Sequence, residues 1–544
     1  MLTLRDPSVV TSRASRGGAQ GGAGARAHRR HLVRSTVIFG AATGVSRVLG
    51  LIREIVAAYY FGSAGKINAF TVAFQIPNLV RALVADAALS SAFVPVFSEL
   101  LEKGDRKRAW RVASSVFFLM LVGLGGLTAL LMILAPLVIA PFGNPGGDKE
   151  LAITLTRILF PIVTLLGISG VIVGILNSYE QFTVPALAPV AWNIAIIAGL
   201  VIGVPQADTV DTKLYVYAVS ILIGTVIQVL LPVPWLRGLD GRLRVVFDWR
   251  DAHVRRVFVL MIPVTLSLGL INFNTVVDTL FASRLIDPEL APRAIDLAFR
   301  IYMLPQGIFS VAVATVLFPS LARLAARGDM EGFRRTSASG LRLIGFLLIP
   351  ASAAIATLAT PIVRLVYQHG EFTSDQTVVV AQCLAAFSVG LAFNGAQLML
   401  NRSFFSLQSP WVPTSIALGN LGLNAILDGL FYTFGAWGIA LSTSLCNIAA
   451  VAVLIQLLRR KIGRFELTET IQSTVRVLLA AGALAVVSHA VWSWLDSALG
   501  RSTGAQIVSL VVALGVGTGV YLGVCLLLGV RELRPLRSIG SDDR

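Results

Sequence analysis

Charged side chains are scarce in this sequence of 544 residues. Asp, Glu, Lys and Arg together make up 14% of the chain, whereas 55% of its residues are hydrophobic. Soluble domains carry about 25% charged residues, so this composition argues against a soluble enzyme. Apolar runs long enough to span the roughly 30 Å hydrocarbon core of a bilayer recur from end to end. The composition therefore predicts one polytopic membrane protein.

Residue types that build metal and redox sites are also rare. The three cysteines, Cys383, Cys446 and Cys525, stand singly within apolar runs, and we expect them to be small buried side chains. The five histidines are scattered, which gives no support to a histidine metal site. The sequence also lacks the GxxxxGK(S/T), HExxH and GxSxG patterns of common enzyme sites. We therefore expect a protein that is not an enzyme, needs no cofactor, and draws energy from an ion gradient or the membrane potential.

Fourteen apolar segments are each predicted to be a transmembrane helix, since a helix satisfies its own backbone hydrogen bonds in lipid. Their approximate limits are 34–60, 67–98, 111–140, 151–177, 185–204, 213–236, 255–285, 293–324, 339–367, 374–401, 411–433, 436–458, 470–495 and 505–529. Cations concentrate in the links after even-numbered segments, whereas odd-numbered links such as residues 143–150 are poor in them. Short loops rich in Lys and Arg stay in the cytoplasm. The alternation predicts an even number of spans and two cytoplasmic termini.

Two landmarks indicate an internal repeat. Pro95 and Pro319 both lie near the end of an apolar segment, and Asn177 and Asn401 lie near the end of another; each pair is 224 residues apart. Such a fixed offset is typical of a duplicated unit, here of six helices, although proline and asparagine also recur by chance at helix ends. Because six is even, both copies would have the same orientation, related by an axis along the membrane normal.

The predicted fold is therefore all-α, with about fourteen transmembrane helices in two parallel six-helix lobes around a central cavity, followed by two C-terminal helices. The expected divisions are a disordered basic cytoplasmic tail (1–33), an N-terminal lobe (34–237), a cytoplasmic linker (238–254), a C-terminal lobe (255–460), a helix pair that forms a lipid groove (461–530) and a second cytoplasmic tail (531–544).

Four arginines near the spans expected to face the cleft stand out: Arg47 and Arg53 in the first predicted span, Arg81 in the second and Arg300 in the eighth. A cation at the centre of a spanning helix costs roughly 2.5–3.5 kcal/mol on insertion scales, so such a residue is normally kept for a function. The simpler alternative for each is snorkelling to the interface or an internal salt bridge. Because guanidinium groups bind phosphate oxygens by paired hydrogen bonds, the four arginines together favour a bound anion.

A second group of polar residues is acidic. Asp278 lies in the seventh segment, and Asn424 and Asp428 lie four residues apart in the eleventh, where they share one helix face. Carboxylate and amide oxygens suit a small cation or a proton relay, while hydrogen bonding between helices remains the alternative. Glu54 and Asp278 are also 224 residues apart, so each lobe places an acid at the same repeat position.

The motifs SRVLGLIREIVAAYYFG and AFTVAFQIPNLVRALVADAALSSAFVPVF, which begin at Ser46 and Ala69, resemble the opening of the MurJ/MviN-type lipid II flippases. This family belongs to the multidrug/oligosaccharidyl-lipid/polysaccharide exporter superfamily. The resemblance covers about residues 34–530. It implies transport of the undecaprenyl-pyrophosphate-linked peptidoglycan precursor from the inner to the outer leaflet of the cytoplasmic membrane.

The resemblance also implies roles for single residues. Arg47, Arg53, Arg81 and Arg300 match the family's cavity arginines, which would bind the pyrophosphate and head group. The positions that match a sodium site of some members are Asp278, Asn424, Asp428 and Thr443. One departure is Asn68, which stands where many members have an acid. Lipid II, membrane lipids and proteins of cell-wall synthesis are the expected partners, and nucleic acid is not.

The expected mechanism is alternating access driven by the membrane potential, a cation gradient or both, in a multi-pass protein of the cytoplasmic membrane. Two alternatives stay open at this point. One is an exporter of the same fold that carries another lipid-linked glycan or a drug. The other is a non-transporting membrane scaffold for cell-wall enzymes, which would tolerate the loss of the cleft arginines.

Overall fold

The computed structural model describes residues 41–84, 87–463 and 467–533. Within these ranges, side chains are described except at 84, 87–91, 263–264, 266–268, 270–271, 467–468 and 531. The predicted tail 1–33 lies outside the described residues, as does all of 531–544 beyond residue 533. The described residues form helices and connecting turns and contain no strand.

Helices follow one another along the whole described chain. Their bounds are α1 (41–61), α2 (Ile67–Val84), α3 (Ala87–Glu102), α4 (Arg106–Ile133), α5 (Ala135–Ile139), α6 (Lys149–Leu159), α7 (Pro161–Ser178), α8 (Thr183–Ala198), α9 (Val210–Leu230), α10 (Ala252–Phe281), α11 (Ala291–Pro305), α12 (Val311–Ala326), α13 (Met330–Thr357), α14 (Ala359–Tyr367), α15 (Ser374–Val389), α16 (Leu391–Ser406), α17 (Trp411–Phe431), α18 (Ala436–Ile462), α19 (Leu467–Leu499) and α20 (Thr503–Leu527). Turns of π-helix extend α8 and α10 and join α11 to α12.

Each of the fourteen predicted spans falls on helix wherever its residues are described. Nine spans within the described residues are long and apolar enough to cross a membrane by themselves, and α15 with α16, bent by 44°, make a tenth. The other four predicted spans fall on α1, α2 with α3, α10 and α17. These four contain charged side chains such as Glu54, Asp278 and Asp428, because a helix that lines a polar cleft gives up part of its apolar surface.

The first lobe is formed by α1–α9 and the second by α10–α18. Phe70, Phe160 and Tyr217 are buried in the core of the first lobe, and Tyr302 and Phe387 in that of the second. Between the lobes, α10 packs against α2 and α3 of the first lobe as well as against α17 of its own. The predicted all-helical architecture is confirmed in these terms.

The last two helices pack together and against α13, outside the second lobe. Phe346 of α13 is buried with Leu484 of α19 and Tyr521 of α20, and the Tyr521 hydroxyl donates to the Phe346 carbonyl oxygen at 2.7 Å. The predicted burial of Cys525 is found here, and Cys383 and Cys446 are buried and unpaired as expected. The pair therefore extends the side of the second lobe and takes no part in the cleft.

The segment between α9 and α10 lies along α4 of the first lobe. Its carboxylates pair with arginines of α4, namely Asp240 with Arg106 (3.1 Å), Asp248 with Arg111 (3.1 Å) and Asp251 with Arg108 (3.4 Å). In addition, the backbone N–H of Arg244 donates to the Ser114 hydroxyl at 3.1 Å. The segment that connects the lobes is thus ordered and is bound to the first lobe.

The two lobes meet at the end of the bundle where α1 ends and α2 begins. Three backbone N–H groups donate to carbonyl oxygens of the other lobe: Gly65 to Glu289 (2.7 Å), Gly146 to Pro288 (2.7 Å) and Glu371 to Tyr59 (2.9 Å). The Ser63 N–H donates to the Gln376 side-chain oxygen at 2.8 Å. The lobes are therefore closed against each other at this end, which the charge pattern predicts to face away from the cytoplasm.

An ion-pair junction supports the first lobe at the same end. Lys66 lies just before α2, and its ammonium group contacts Asp211 at 2.7 Å and Asp148 at 3.0 Å. Hydrogen bonds to these carboxylates raise the pKa of Lys66 above its usual value. The pKa of Asp148 is lowered, because the Leu151 N–H and Lys66 donate to its carboxylate. The junction ties the starts of α2, α6 and α9 together.

Candidate functional site

A buried carboxylate surrounded by arginines lies between the two lobes. Glu54 of α1 is 2% exposed. Its Oε1 accepts from Arg53 Nη2 at 2.7 Å and lies 3.3 Å from Arg300 Nη1, while its Oε2 accepts from Arg293 Nη2 at 3.1 Å. Arg53 belongs to the first lobe, whereas Arg293 and Arg300 both lie on α11 of the second. One carboxylate therefore connects guanidinium groups of the two lobes.

Asp296 completes this cluster from the second lobe. Its Oδ2 accepts from Arg293 Nη1 at 2.8 Å and from Arg300 Nε at 3.1 Å. Guanidinium groups remain charged in proteins. Three arginines against two carboxylates leave one net positive charge at the centre of the protein, where an anion would be attracted.

The first lobe orients Arg53 through two neighbouring residues of α8. Arg53 Nη1 donates to Asn193 Oδ1 at 3.2 Å, and the guanidinium carbon lies 4.7 Å from the centre of the Trp192 ring. A guanidinium group over an indole face is stabilised by the ring's quadrupole. Arg53 is thus held in place by hydrogen bonds and stacking together.

Two adjoining cavities open onto this cluster. One of about 430 Å³ is lined by Arg53, Arg81 and Arg300, and another of about 410 Å³ by Arg47, Arg53 and Arg300. Both also contact Asn78, whose side-chain oxygen accepts from Arg81 Nη2 at 2.9 Å. The structure therefore places all four arginines singled out in the sequence along one cleft.

The four arginines differ in their surroundings. Arg53 and Arg300 are part of the buried ion cluster, whereas Arg47 is exposed and its guanidinium group lies against Gly307 in the turn that joins α11 to α12. A methyl group at Gly307 would collide with that guanidinium group. Arg47 therefore packs across the lobe boundary at a second point.

Two members of the cluster, Arg293 and Asp296, are missed by the sequence reasoning. Arg293 is the first residue of the predicted eighth span and is not singled out by the sequence, yet it is 2% exposed and lies between the lobes. Arg293, Asp296 and Arg300 are spaced at i, i+3 and i+7, which places them on one face of a helix. That spacing is the signal that could have identified them.

Asn68 also joins the two lobes, next to the cluster. Its Oδ1 accepts from the Arg293 backbone N–H at 2.8 Å, and its Nδ2 donates to the carbonyl oxygens of Ser63, Gly65 and Glu289. A carboxylate at this position has no hydrogen to donate to these carbonyls. The neutral amide therefore fits this junction. Because Asn68 carries no ionisable group, the contact between the lobes at this position does not depend on a change of charge there.

The second predicted group of polar residues also comes together, in the interior of the second lobe. Asn424 Nδ2 donates to Asp278 and, at 3.0 Å, to Asp428 Oδ2; the Thr443 hydroxyl lies 3.5 Å from Asp278 Oδ2. Asp278, Asn424 and Asp428 are buried. The Oδ1 atoms of Asn424 and Asp428 have no hydrogen-bond partner. The Asn424 amide oxygen and the carboxylates of Asp278 and Asp428 together form an all-oxygen donor set. Such a set suits a small hard cation.

The two-lobed helical fold around the cleft is also seen in a solved membrane protein. A multidrug-resistance MATE family transporter in an inward-facing conformation matches with a TM-score of 0.65 and 17% identity, over 76% of this chain and 94% of that chain. A likeness at this identity concerns the fold. The chain is thus a polytopic helical membrane protein with this two-lobed fold.

The family described as lipid II flippase MurJ matches residues 57–507, and the chain belongs to this family. The probable lipid II flippase MurJ of Vibrio cholerae is 30% identical over 522 residues, which is 92% of this chain and 97% of that protein. The lipid II flippase MurJ of Burkholderia cenocepacia is 30% identical over 429 residues, or 76% and 81% of the two chains. The solved structure of a lipid II flippase MurJ in an inward closed conformation matches with a TM-score of 0.76 and 25% identity, over 92% and 99%.

Family membership confirms the resemblance carried by the sequence motifs. The chain is an integral protein of the cytoplasmic membrane, and its family consists of transporters rather than enzymes.

Arg293 is predicted to be the main ionic connection between the lobes. Arg293→Ala leaves Glu54 Oε2 without its donor, although Glu54 keeps Arg53 and Arg300, and a lost hydrogen bond to a charged group costs about 1.5–3 kcal/mol. The variant should therefore unfold at a clearly lower temperature than the wild type, as measured by circular dichroism on detergent-solubilised protein.

Arg501→Ala is the matched control, since Arg501 is largely exposed and lies 3.8 Å from Asp496, which keeps Arg364 as a partner. Exposed pairs contribute about 0–1 kcal/mol. Equal melting temperatures for the two variants would show that Arg293 does not hold the lobes together.

Proposed function

We propose that this chain moves lipid II, the undecaprenyl-pyrophosphate-linked peptidoglycan precursor, from the inner to the outer leaflet by alternating access. The observation that carries the proposal is the buried cluster at the lobe boundary, in which three arginines face two carboxylates. The family and its relatives are named lipid II flippase MurJ, which supports the choice of cargo. Both termini are then cytoplasmic, in agreement with the charge pattern of the links.

The diphosphate of the cargo is proposed to bind Arg53 and Arg300, with Arg47 and Arg81 lining the approach. Phosphate oxygens accept paired hydrogen bonds from guanidinium groups, as carboxylates do. A bound diphosphate therefore competes with Glu54 and Asp296 for the same donors. Because Glu54 connects the two lobes, this competition loosens their contact while the cargo is bound.

Alternating access requires the closed end of the bundle to open. The connections to be broken there are backbone hydrogen bonds such as Gly65 to Glu289 and the amide contacts of Asn68. These are neutral hydrogen bonds, each with a net worth of about 0.5–1.5 kcal/mol. A few such bonds form a contact that a conformational change can break and remake.

The positive charge of the cleft distinguishes the cargo from a cationic drug. A drug exporter for cations needs net negative charge along its cleft, whereas the cavities here are lined by Arg47, Arg53, Arg81 and Arg300 against Glu54 and Asp296. A scaffold without transport has no need for buried charges between mobile lobes. Proteins of cell-wall synthesis remain expected partners.

The polyprenyl tail is proposed to stay in lipid, along a groove beside α19 and α20. These helices pack on the outside of the second lobe and carry exposed apolar side chains such as Leu479, Val486 and Val511. An apolar tail is favourably placed against such a surface. Only the polar head group then has to cross through the cleft.

Loss of Arg300 is predicted to impair transport. A hydrogen bond to a charged group is worth about 1.5–3 kcal/mol, so Arg300→Ala should weaken lipid II binding by about ten- to a hundredfold and slow its translocation. The measurement is flipping of labelled lipid II in proteoliposomes with matched amounts of protein. Arg501→Ala serves as control, and wild-type rates in Arg300→Ala would refute the proposed diphosphate contact.

We further propose that Asp278, Asn424, Asp428 and Thr443 hold Na⁺ as the coupling ion. The unpartnered oxygens of Asn424 and Asp428 support this assignment, since sodium, like other hard cations, binds oxygen ligands. A monovalent cation crossing with the empty carrier would couple its return to the membrane potential, at about 2.3 kcal/mol per charge per 100 mV.

Sodium binding is predicted to stabilise the protein. Wild-type protein should melt at a higher temperature in NaCl than in choline chloride, since an ion that binds only the folded state raises its stability. Asp428→Asn removes one charged ligand and should abolish this difference, whereas Asp211→Asn, at the start of α9 in the first lobe, should keep it. An equal melting temperature of the wild type in both salts would exclude the sodium site.

A further inference from the structure

The second lobe contains a cavity whose walls are rich in carboxamide side chains. It measures about 410 Å³ and lies among α10, the α11–α12 span, α16, α17 and α18. Eight of its lining residues are Asn or Gln: Asn272, Asn274, Gln306, Asn394, Gln397, Asn401, Asn420 and Asn447. Its one charged lining residue is Asp278. We call this cavity the amide chamber.

The amide chamber has buried polar atoms without a partner in the protein. Tyr302 and Asn401 are among its lining residues, and within the described part of the chain the Tyr302 hydroxyl and Asn401 Oδ1 are buried and form no hydrogen bond. A buried polar group without a hydrogen bond costs about 1–3 kcal/mol, and polar residues at membrane depth mark ligand pathways. The carboxamide lining, with these unsatisfied atoms behind it, therefore indicates that the chamber receives polar groups from another molecule.

The amide chamber adjoins the arginine-lined cleft. Asn272, Thr275, Phe299 and Met303 line both the chamber and the cavity that contains Arg53 and Arg300. Phe299 directly precedes Arg300 in α11. A ligand whose anionic group is bound at the arginines can therefore place a neighbouring uncharged group in the chamber.

We propose that the amide chamber binds the uncharged sugar portion of the lipid-linked head group. The proposal rests on the function proposed above, and it adds a second subsite to the diphosphate site. Each carboxamide offers both a donor and an acceptor, and sugar hydroxyl and acetamido groups need both. The volume lies in the range of roughly 300–1,000 Å³ that is typical of small-molecule sites.

A hydrated cation on its way to Asp278 is the competing occupant. Against it, Asp278 is the one carboxylate among the chamber's described lining residues, and a cation uses only the oxygen of each carboxamide, which leaves the NH₂ donors of the lining without a partner. A neutral ligand with many hydroxyl groups matches this lining better. The experiment below distinguishes the two.

The test compares two ligands that differ by the sugar and peptide. Full-length protein in nanodiscs is titrated with lipid II and with undecaprenyl pyrophosphate, which has the diphosphate and the tail alone. The chamber variant is Asn394→Leu with Asn401→Leu, two positions on one face of α16. Asn144→Leu, an exposed residue before α6, is the control.

The chamber variant should bind lipid II at least about tenfold more weakly, given the loss of several neutral hydrogen bonds, and undecaprenyl pyrophosphate as tightly as the wild type. Arg300→Ala should weaken both ligands. Unchanged lipid II binding in the chamber variant would overturn the sugar subsite and leave the proposed function intact. If that variant also lost the effect of sodium on melting temperature, the chamber would belong to the cation instead. Equal weakening of both ligands would also overturn the sugar subsite. If neither ligand binds the wild type, the proposed function itself fails.

A labelling measurement keeps the test valid if the leucine variant folds poorly. In Asn394→Cys combined with Cys446→Ala, a thiol reagent should modify the new cysteine alone, because Cys446 lines the same chamber whereas Cys383 and Cys525 are buried elsewhere. Lipid II should slow this reaction at least about fivefold, because several head-group contacts would cover the site, and undecaprenyl pyrophosphate should not slow it. Equal protection by the two ligands would contradict a sugar site in the chamber.

Discussion

The arrangement of the protein depends on one buried carboxylate that accepts from arginines of both lobes. Glu54 is carried by the first lobe, and two of its three guanidinium partners, Arg293 and Arg300, come from the second. Charges at this depth are stable only when they are paired and hydrogen-bonded. The lobes therefore meet at a point that is ionic and nearly balanced, and under the proposed function its single excess positive charge attracts the diphosphate.

The remaining features fit around this ionic centre. Neutral hydrogen bonds close one end of the bundle, among them those of Asn68 and the bond from Gly65 to Glu289. Because these groups are uncharged, opening and closing that end moves no charge between water and the protein interior. The candidate cation site lies inside the second lobe at Asp278, which also lines the amide chamber, and the helix pair α19–α20 packs outside that lobe. The diphosphate and lipid contacts are thus assigned to separate parts of one helical body, with the cation site beside the proposed sugar subsite, and a rocking motion of the lobes would connect them.

Much of the fold follows from the sequence by simple physics, because hydrocarbon requires long apolar helices and the distribution of Arg and Lys orders them. The site was only partly predictable. Arg53 and Arg300 stand out as cations inside apolar runs, but Arg293 lies at the edge of such a run and its burial depends on how α11 packs. The closed end depends on backbone carbonyls such as that of Glu289, which have no sequence signal. The amide chamber combines residues from five separate spans, so no local sequence motif predicts it.

The central claim is that the charge of the Glu54 cluster determines binding of the diphosphate. The most direct measurement is the affinity of purified Glu54→Gln protein for undecaprenyl pyrophosphate, compared with wild type in the same nanodiscs at low and moderate salt. Removing one of the two carboxylates raises the cluster's net charge and frees guanidinium donors, so the account predicts tighter binding, with a larger gain at low salt because screening is weaker there. Equal or weaker binding at both salt concentrations would contradict it.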